Sequence, residues 1–140
     1  MGEIEIEGIT DLVPDKLIYT EWLENVINIE GCSLGNLTFV LCTDDYLLDL
    51  NQRFLNHDWY TDVITFDYSE GNLVSGDVII SMDRVGDNAK KYNVDVEEEL
   101  KRVMVHGVLH LLGYGDKTDA EVAVMRIKED EMIKMFHVEQ

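Results

Sequence analysis

Two histidines and one aspartate in the C-terminal third of the chain are the residues best suited to chemistry. His106 and His110 are four residues apart in an apolar stretch, and Asp116 follows six residues later. Side chains four residues apart lie on the same face of a helix, so the two imidazoles can bind one ion. Three protein ligands with one open position are typical of catalytic zinc sites, whereas structural zinc sites usually have four. The pattern therefore predicts a metal-dependent hydrolase.

Asp116 has a second interpretation, as the cap of the helix that follows it. A carboxylate just before a helix often accepts a hydrogen bond from the first turn. Here, however, Thr118 and Glu121 already have the spacing of a capping box. Gly113 provides a position at which the preceding helix can end and the chain can turn back. We therefore predict that Asp116 is the third metal ligand.

The residue after the first histidine separates this pattern from that of the zinc peptidases. Their signature has a glutamate at that position as the general base, whereas this chain has Gly107. Glycine in a helix costs about 1 kcal/mol relative to alanine. We expect Gly107 either to relieve crowding near the metal or to let another segment approach closely. A peptidase is therefore the less favoured interpretation, because its general base would have to come from another position.

The chain is strongly acidic, but the segment that carries the predicted ligands is not. The formal net charge of −18 argues against indiscriminate binding to nucleic acids or anionic membranes. Within residues 84–117 the charges balance, with six basic and six acidic residues: Arg84, Lys90, Lys91, Lys101, Arg102 and Lys117 against Asp87, Asp95, Glu97, Glu98, Glu99 and Asp116. A locally less negative face with a bound dication can still accept a phosphodiester.

Length and composition predict one globular domain over residues 1–140. No apolar run approaches the ~20 residues of a membrane span, and the acidic N-terminus is unlike a signal peptide. The chain has only two cysteines, Cys32 and Cys42, which we expect to be free thiols in a reducing compartment. We therefore expect a cytoplasmic protein with no membrane partner, and the sequence leaves its oligomeric state open.

The pattern of apolar residues predicts alternating strands and helices, with three helices at the end. Strands are expected at residues 3–7, 37–42, 62–67 and 76–81, and helices at about 14–30, 44–54, 84–92, 96–112 and 119–136. Turn residues between the last two strands indicate an antiparallel pair, so the sheet should be mixed. In the ligand helix, we expect Asp95 to form a capping box with Glu98. The apolar residues of this helix predict that it is mostly buried, with only the face that carries the histidines open to a cleft.

The ligand motif and two further segments resemble the YbeY family of bacterial endoribonucleases. These segments are Asn51…Asp58…Thr61-Asp62-Val-Ile-Thr-Phe66 and Gly76-Asp77-Val-Ile-Ile-Ser81. The resemblance covers most of the chain, with the motifs in order. It implies an α+β fold, in which a single domain has a mixed four-stranded sheet packed with about five helices. It also implies a zincin-like metal site at the end of the ligand helix.

The resemblance implies a metal-dependent endoribonuclease that acts on rRNA precursors. The family is linked to maturation of the 3′ end of small-subunit rRNA and to ribosome quality control. His106 and His110 match the family's first two metal ligands, and Asp116 stands where the third is commonly histidine. One divalent ion, with zinc favoured, would activate water for attack on a phosphodiester without a dedicated base. A carboxylate ligand cancels one positive charge, so harder metals become more competitive.

A second departure from the family pattern concerns an arginine in the loop before the third strand. Its position is occupied by Leu55, and Arg53 lies two residues away. A guanidinium near the metal would orient phosphate oxygens and stabilise transition-state charge. Arg53 and Lys117 are therefore the candidate catalytic residues. Residues that either position the substrate or cap the loop and strand are Asn51, Asp58 and Thr61.

Two other hypotheses come from different functional classes. The first is a non-catalytic, metal-containing ribosome-assembly factor that binds basic ribosomal proteins of the small subunit. The acidic surface and the departures at Leu55 and Asp116 favour it. The second is a metallopeptidase, which would cleave unstructured peptides and be inhibited by hydroxamates. Gly107 argues against it.

Overall fold

A computed structural model of the protein describes residues 2–56 and 61–138. Within these ranges the order of strands and helices is the one that the sequence predicts. The elements are β1 (Glu3–Gly8), α1 (Lys16–Ile29), β2 (Ser33–Cys42), α2 (Asp44–Leu55), β3 (Val63–Asp67), β4 (Leu73–Ser81), α3 (Met82–Tyr92), α4 (Val96–Leu111) and α5 (Asp119–Val138). No helix in the described part of the chain is both long enough and apolar enough to cross a membrane.

The four strands form one mixed sheet in the order β1-β2-β4-β3. Strand β2 runs parallel to both β1 and β4, whereas β3 pairs antiparallel with β4. The antiparallel pair confirms the predicted hairpin, and the sheet with five helices confirms the α+β fold among the described residues. Strands β2 and β4 begin at Ser33 and Leu73, earlier than the predicted starts at residues 37 and 76, because these two residues already pair with each other.

Helix α4 packs against strands β3 and β4 of the sheet and against helices α3 and α5. Its inner residues Leu100, Met104, Val105 and Val108 are fully buried. Helix α5 is held in place from α1, where the Trp22 Nε1–H donates to the Met132 carbonyl oxygen at 2.7 Å. The aromatic rings of Trp22 and Phe136 also meet edge to face, with centroids 5.1 Å apart. These contacts fix the position of α5 against the ligand helix.

One of the two predicted capping boxes forms and the other does not. At the start of α5, the Thr118 N–H donates to Glu121 Oε1, and the Glu121 N–H donates to Thr118 Oγ1, each at 3.1 Å. Asp95 is the N-cap of α4, but its side chain makes no capping hydrogen bond. Glu98 instead accepts from the Lys101 Nζ at 3.3 Å, so the expected box at Asp95 is wrong.

Gly107 lies where α4 comes closest to the sheet. A Cβ atom built at this position would be 2.6 Å from Cγ1 of Val78, a fully buried residue of β4. Of the two roles expected for Gly107, close approach of another segment is therefore the one that the structure supports. Since His106 and His110 flank this contact, the same glycine sets the depth of the histidines relative to the sheet.

Replacing Gly107 with alanine should lower the free energy of unfolding by about 1–3 kcal/mol, because the added methyl group overpacks the α4–β4 contact. The helix propensity of alanine offsets at most about 1 kcal/mol of this loss. Urea denaturation of the variant measures the change. A matched variant, Val78→Ala, should reduce the penalty of Gly107→Ala when the two are combined. A penalty that is unchanged in the double variant would contradict the proposed contact.

Candidate metal centre

Helix α4 places the two histidine side chains next to each other at the surface of a cleft. The Nε2 atoms of His106 and His110 are 3.0 Å apart, and the two ring planes are nearly perpendicular. Their side chains are only 22% and 25% exposed. The spacing of four residues thus brings both imidazoles to one point, as the sequence predicts.

A tight reversal at Gly113 returns the chain toward the histidines. Gly113 has a φ of +104°, a left-handed conformation that glycine adopts without strain. The Gly113 N–H donates to the His110 carbonyl oxygen and the Tyr114 N–H to that of Leu109, each at 3.0 Å. This pair of bonds is the Schellman motif that ends many helices. It directs the next residues back along the face that carries the histidines.

The reversal brings Asp116 into contact with both imidazoles. Its Oδ2 atom is 3.1 Å from Nε2 of His110 and 3.4 Å from Nε2 of His106. The helix that follows is capped by Thr118 and Glu121, so the Asp116 carboxylate is not used as a cap. The structure therefore places the three predicted ligands together. In the described part of the chain, they are the only group of three or more His, Cys, Asp or Glu residues whose ligand atoms all lie within 4.8 Å of one another.

The other nitrogen of each imidazole is held by an acceptor, which fixes its tautomer. Nδ1 of His110 lies 3.0 Å from the Tyr114 carbonyl oxygen, and Nδ1 of His106 lies 2.7 Å from Oε2 of Glu129. A carbonyl or a carboxylate can only accept, so each Nδ1 carries the proton. When the imidazoles are neutral, as metal binding requires, both Nε2 atoms present lone pairs toward the Asp116 carboxylate.

This convergence of acceptors fits a divalent metal ion. Ligand atoms at ~2.0–2.1 Å from a tetrahedral ion lie about 3.3–3.4 Å from one another. The separations between His106 Nε2, His110 Nε2 and Asp116 Oδ2 are 3.0, 3.1 and 3.4 Å. Three ligands from imidazole and carboxylate leave a fourth position for water or substrate, as in catalytic sites. The donor set and the spacing therefore both suit such an ion.

Glu129 on α5 supports His106 from behind and was not predicted from the sequence. Its side chain is 6% exposed, and its Oε1 accepts from Nη1 of Arg102 at 2.9 Å. Nη2 of Arg102 donates in turn to Asp130 at 2.8 Å. Such carboxylate–histidine–metal arrangements orient the ligand and raise its basicity.

The Glu129–His106 pair shifts the pKa values of both groups. Burial alone would lower the pKa of His106, but the hydrogen bond and charge of Glu129, together with the charges of Asp116 and Asp62, hold that pKa above its ordinary value. Burial opposes ionisation of Glu129, yet its hydrogen bonds to His106 and Arg102 hold its pKa below the ordinary value. Without a metal, the pair thus favours a carboxylate beside a protonated imidazole. A metal ion at His106 therefore competes with a proton.

Tyr114, whose carbonyl oxygen orients His110, is held in place by Glu30 at the end of α1, which in turn binds Lys128 of α5. Its hydroxyl donates to Oε1 of Glu30 at 2.6 Å, and Nζ of Lys128 donates to the other oxygen of Glu30 at 3.2 Å. The hydrogen bond to Glu30 raises the pKa of Tyr114, so the hydroxyl stays protonated as a donor. The turn between His110 and Asp116 is therefore tied to α1 and α5.

A cavity of about 230 Å³ opens beside the metal ligands, between α3, α4 and α5. His106 and Asp116 line one end, and Tyr92 and Asn88 line the wall formed by α3. Its charged lining residues are Asp62, Glu99, Arg102, Asp116, Arg126 and Glu129. Four carboxylates therefore face two arginines in this lining. The cavity is acidic although the charges of residues 84–117 balance along the sequence, because none of the lysines of that segment lines it.

The candidate catalytic residues Arg53 and Lys117 do not line this cavity. Arg53 lies in the last turn of α2, where its exposed side chain is 3.3 Å from Asp49. Lys117 is exposed directly after Asp116, and its backbone N–H donates to Glu121. Their catalytic roles stay predictions, and Lys117 is the nearer of the two to the ligands along the chain.

The candidate positioning residues lie in three different environments. Asn51 is buried in α2 with 2% exposure, and Thr61 is half-buried just before β3. Asp58 lies outside the described residues. Asp62, the neighbour of Thr61, does line the cavity and also accepts the Ser81 N–H through its carbonyl oxygen. The motif around Thr61 thus contributes Asp62 to the lining of the cavity beside the metal ligands.

Comparison with known proteins agrees with the fold and with the motif. The sequence model of a family described as Endoribonuclease YbeY matches residues 9–137. Endoribonuclease YbeY of Flavobacterium johnsoniae is 54% identical over 122 residues, which are 87% of this chain and 88% of the relative. The protein of the same name from Christiangramia forsetii is 45% identical over 140 residues, or 99% of this chain and 98% of the relative.

A solved structure has the same fold over almost the whole chain. The solution structure of TM1509 from Thermotoga maritima is similar with a TM-score of 0.72 and 30% sequence identity. The match covers 99% of this chain and 91% of that protein.

Proposed function

The chain belongs to the YbeY family of endoribonucleases, and we propose that it hydrolyses RNA at a divalent metal ion held by His106, His110 and Asp116. It is a metal-dependent endoribonuclease of rRNA processing. The observation that carries the proposed site is the convergence of two imidazole Nε2 atoms and one carboxylate oxygen, which lie 3.0, 3.1 and 3.4 Å from one another. A cation satisfies all three.

We propose zinc as the metal in this site. Two imidazoles and one carboxylate are a common catalytic zinc set, and the expected ligand spacing agrees with it. The carboxylate of Asp116 also suits harder ions, because oxygen ligands favour magnesium and manganese more than imidazole does. When bound, the ion supplies Lewis acidity toward phosphate oxygens and activates water as a nucleophile.

The protein's own residues hold and orient the ligands. Glu129 and the Tyr114 carbonyl oxygen keep the Nδ1 protons of His106 and His110 turned away from the cleft. Each Nε2 is thereby kept ready to bind the ion without a change of tautomer. We propose that Lys117 or Arg53 stabilises charge on the phosphate, since Leu55 stands at the position of the family's usual arginine.

We propose an rRNA precursor as the substrate and the 3′ end of small-subunit rRNA as the site of action. Small-subunit ribosomal proteins are proposed as additional partners, because the net charge of −18 complements their basic surfaces. A cytoplasmic location is proposed as well. The free thiols of Cys32 and Cys42 are consistent with a reducing compartment.

The two alternative functions are less well supported. A metallopeptidase of this type needs a glutamate after the first histidine, and Gly107 instead packs against Val78. A non-catalytic, metal-containing assembly factor would also need metal ligands, but structural zinc sites usually have four protein ligands and this group has three. The family membership favours the nuclease over both.

Replacing Asp116 with alanine should remove stoichiometric metal from the purified protein. The loss of one ligand of three is expected to weaken metal binding by more than the ~10–100-fold typical of a supporting residue. Elemental analysis of the wild type and the variant, purified in parallel, measures this. The matched variant Asp116→His, which supplies the family's commoner ligand, should keep its metal. Equal metal content in the wild type and Asp116→Ala would remove Asp116 from the site.

A further inference from the structure

The cavity beside the metal ligands contains a buried carboxylate that the proposed catalysis does not use. Glu99 of α4 is 6% exposed and lines the cavity. Its side chain makes no hydrogen bond or ion pair with any residue in the ranges 2–56 and 61–138. Every fully enclosed side-chain nitrogen or oxygen among these residues has a partner. The Glu99 oxygens are therefore not fully enclosed, and Glu99 lines both this cavity and a second one that shares Tyr92, Arg102 and Arg126 with it.

Glu99 lies on the same face of α4 as His106, two helical turns away. Seven residues along a helix correspond to a rise of about 10 Å. Tyr92 and Asn88 of α3 line the same cavity, and the Tyr92 side chain is 52% exposed. The volume of about 230 Å³ is below the ~300–1,000 Å³ of pockets for drug-sized molecules. It suits one flat group attached to a larger molecule.

Away from the metal ligands, the charges of the cavity disfavour a phosphate and favour a group that donates hydrogen bonds. Arg102 is already bonded to Glu129 and Asp130, and Arg126 lies 3.9 Å from Glu129. Burial raises the pKa of Glu99 above its ordinary value although the charges of Arg102 and Arg126 oppose this, and neither arginine forms an ion pair with it. Glu99 is thus an acceptor with no protein partner among the described residues, and a ligand N–H can replace the water that reaches it. A metal is not favoured, because Glu99 is not part of a metal-binding group among the described residues.

We propose that this cavity binds a nucleobase next to the cleaved phosphodiester, and that Glu99 selects bases with an exocyclic amine. This inference rests on the proposed nuclease function. Proteins that bind single-stranded RNA hold splayed-out bases by stacking on aromatic rings and by hydrogen bonds to their Watson–Crick edges. Tyr92 provides the ring, and Glu99 accepts from the amine of cytosine, adenine or guanine. Uracil has no exocyclic amine, and the carbonyl oxygens on either side of its N3–H repel the carboxylate.

The test compares binding of short oligocytidine and oligouridine of equal length to the metal-loaded protein at one salt concentration. The wild type should bind oligocytidine on the order of tenfold more tightly, the discrimination expected of one direct contact to a base edge. Glu99→Gln should reduce the difference to about twofold or less, since an amide both donates and accepts. Glu24→Gln removes one charge from an exposed position on α1 and should keep the preference.

Two further measurements separate base recognition from a structural role. Tyr92→Ala should weaken binding of both oligonucleotides by the same factor, because stacking does not depend on the base. Glu99→Gln should keep the full metal content of the wild type. A wild type that cleaves RNA but binds the two oligonucleotides equally would overturn this inference alone. So would an unchanged preference in Glu99→Gln. Failure of the metal-loaded wild type to cleave any single-stranded RNA would instead overturn the proposed function.

Discussion

Replacing His110 with alanine will abolish metal binding and RNA cleavage together. His110 is the central ligand, since its Nε2 lies 3.0 Å from Nε2 of His106 and 3.1 Å from Oδ2 of Asp116. Without it, the two remaining ligands have no partner that completes the site. We expect metal affinity to fall by well over the ~100-fold that follows loss of a supporting residue. Cleavage of single-stranded RNA should fall to the level of metal-free protein.

The control for His110→Ala must show that the protein still folds. The His110 side chain is 25% exposed and borders the cleft, so its truncation leaves no closed cavity in the core. Circular dichroism and the urea midpoint of the metal-free protein should therefore change little. The mechanism fails if a folded His110→Ala protein cleaves RNA at the wild-type rate in the presence of a chelator.

Replacing Glu129 with glutamine should produce the second largest effect, a loss of metal affinity of about 10–100-fold. The amide keeps the size of the side chain but removes the charge that favours proton donation from Nδ1 of His106. It also leaves Arg102 with only Asp130 as a charged partner within 4 Å among the described residues. Competition with a chelating dye of known affinity measures the change, and RNA cleavage at limiting metal should fall in parallel.

Glu131→Gln is the matched control for Glu129→Gln. Glu131 lies on the same helix, its side chain is 57% exposed, and its only ion pair in the described part of the chain is with Lys128 at 3.8 Å. The two substitutions remove the same charge two residues apart, but only one removes a contact to a ligand. Equal metal affinities in the two variants would show that Glu129 does not support His106.

The sequence was sufficient to predict the parts of the site that depend on local structure. The spacing of His106 and His110 needs only a helix, and the return of Asp116 needs only a glycine at which that helix ends. The capping box of Thr118 and Glu121 also depends on four consecutive residues, and it forms as predicted. Such features depend on backbone geometry within a few residues, so they can be predicted from a short sequence pattern.

The supporting residues could not be predicted in the same way, because they depend on how helices dock. Glu129 is 23 residues from His106, and its role follows from the anchoring of α5 by Trp22. One signal was available in the sequence. Glu129 interrupts the apolar stripe of α5, whose other members are buried: Met125, Met132, Ile133 and Phe136. A carboxylate within such a stripe indicates a buried partner, but it does not identify that partner as His106.

The capping box expected at Asp95 is a local feature that the sequence predicts but the structure lacks. Glu98 has the right spacing for the box, but Lys101 lies one turn away and pairs with it. Lys101 is itself held by tertiary structure, since its Nζ lies 3.9 Å from the centre of the Phe136 ring on α5. A contact across the fold therefore overrides the local pattern at the start of α4.

Metal removal and restoration test the central claim most directly. The purified protein should be stripped with a chelator, and cleavage of single-stranded RNA should then be measured as Zn²⁺ is added back in known amounts. We predict that cleavage is lost on chelation and recovers to its maximum at one ion per chain, with the same stoichiometry found by elemental analysis. Full cleavage by protein that contains no metal would contradict the account.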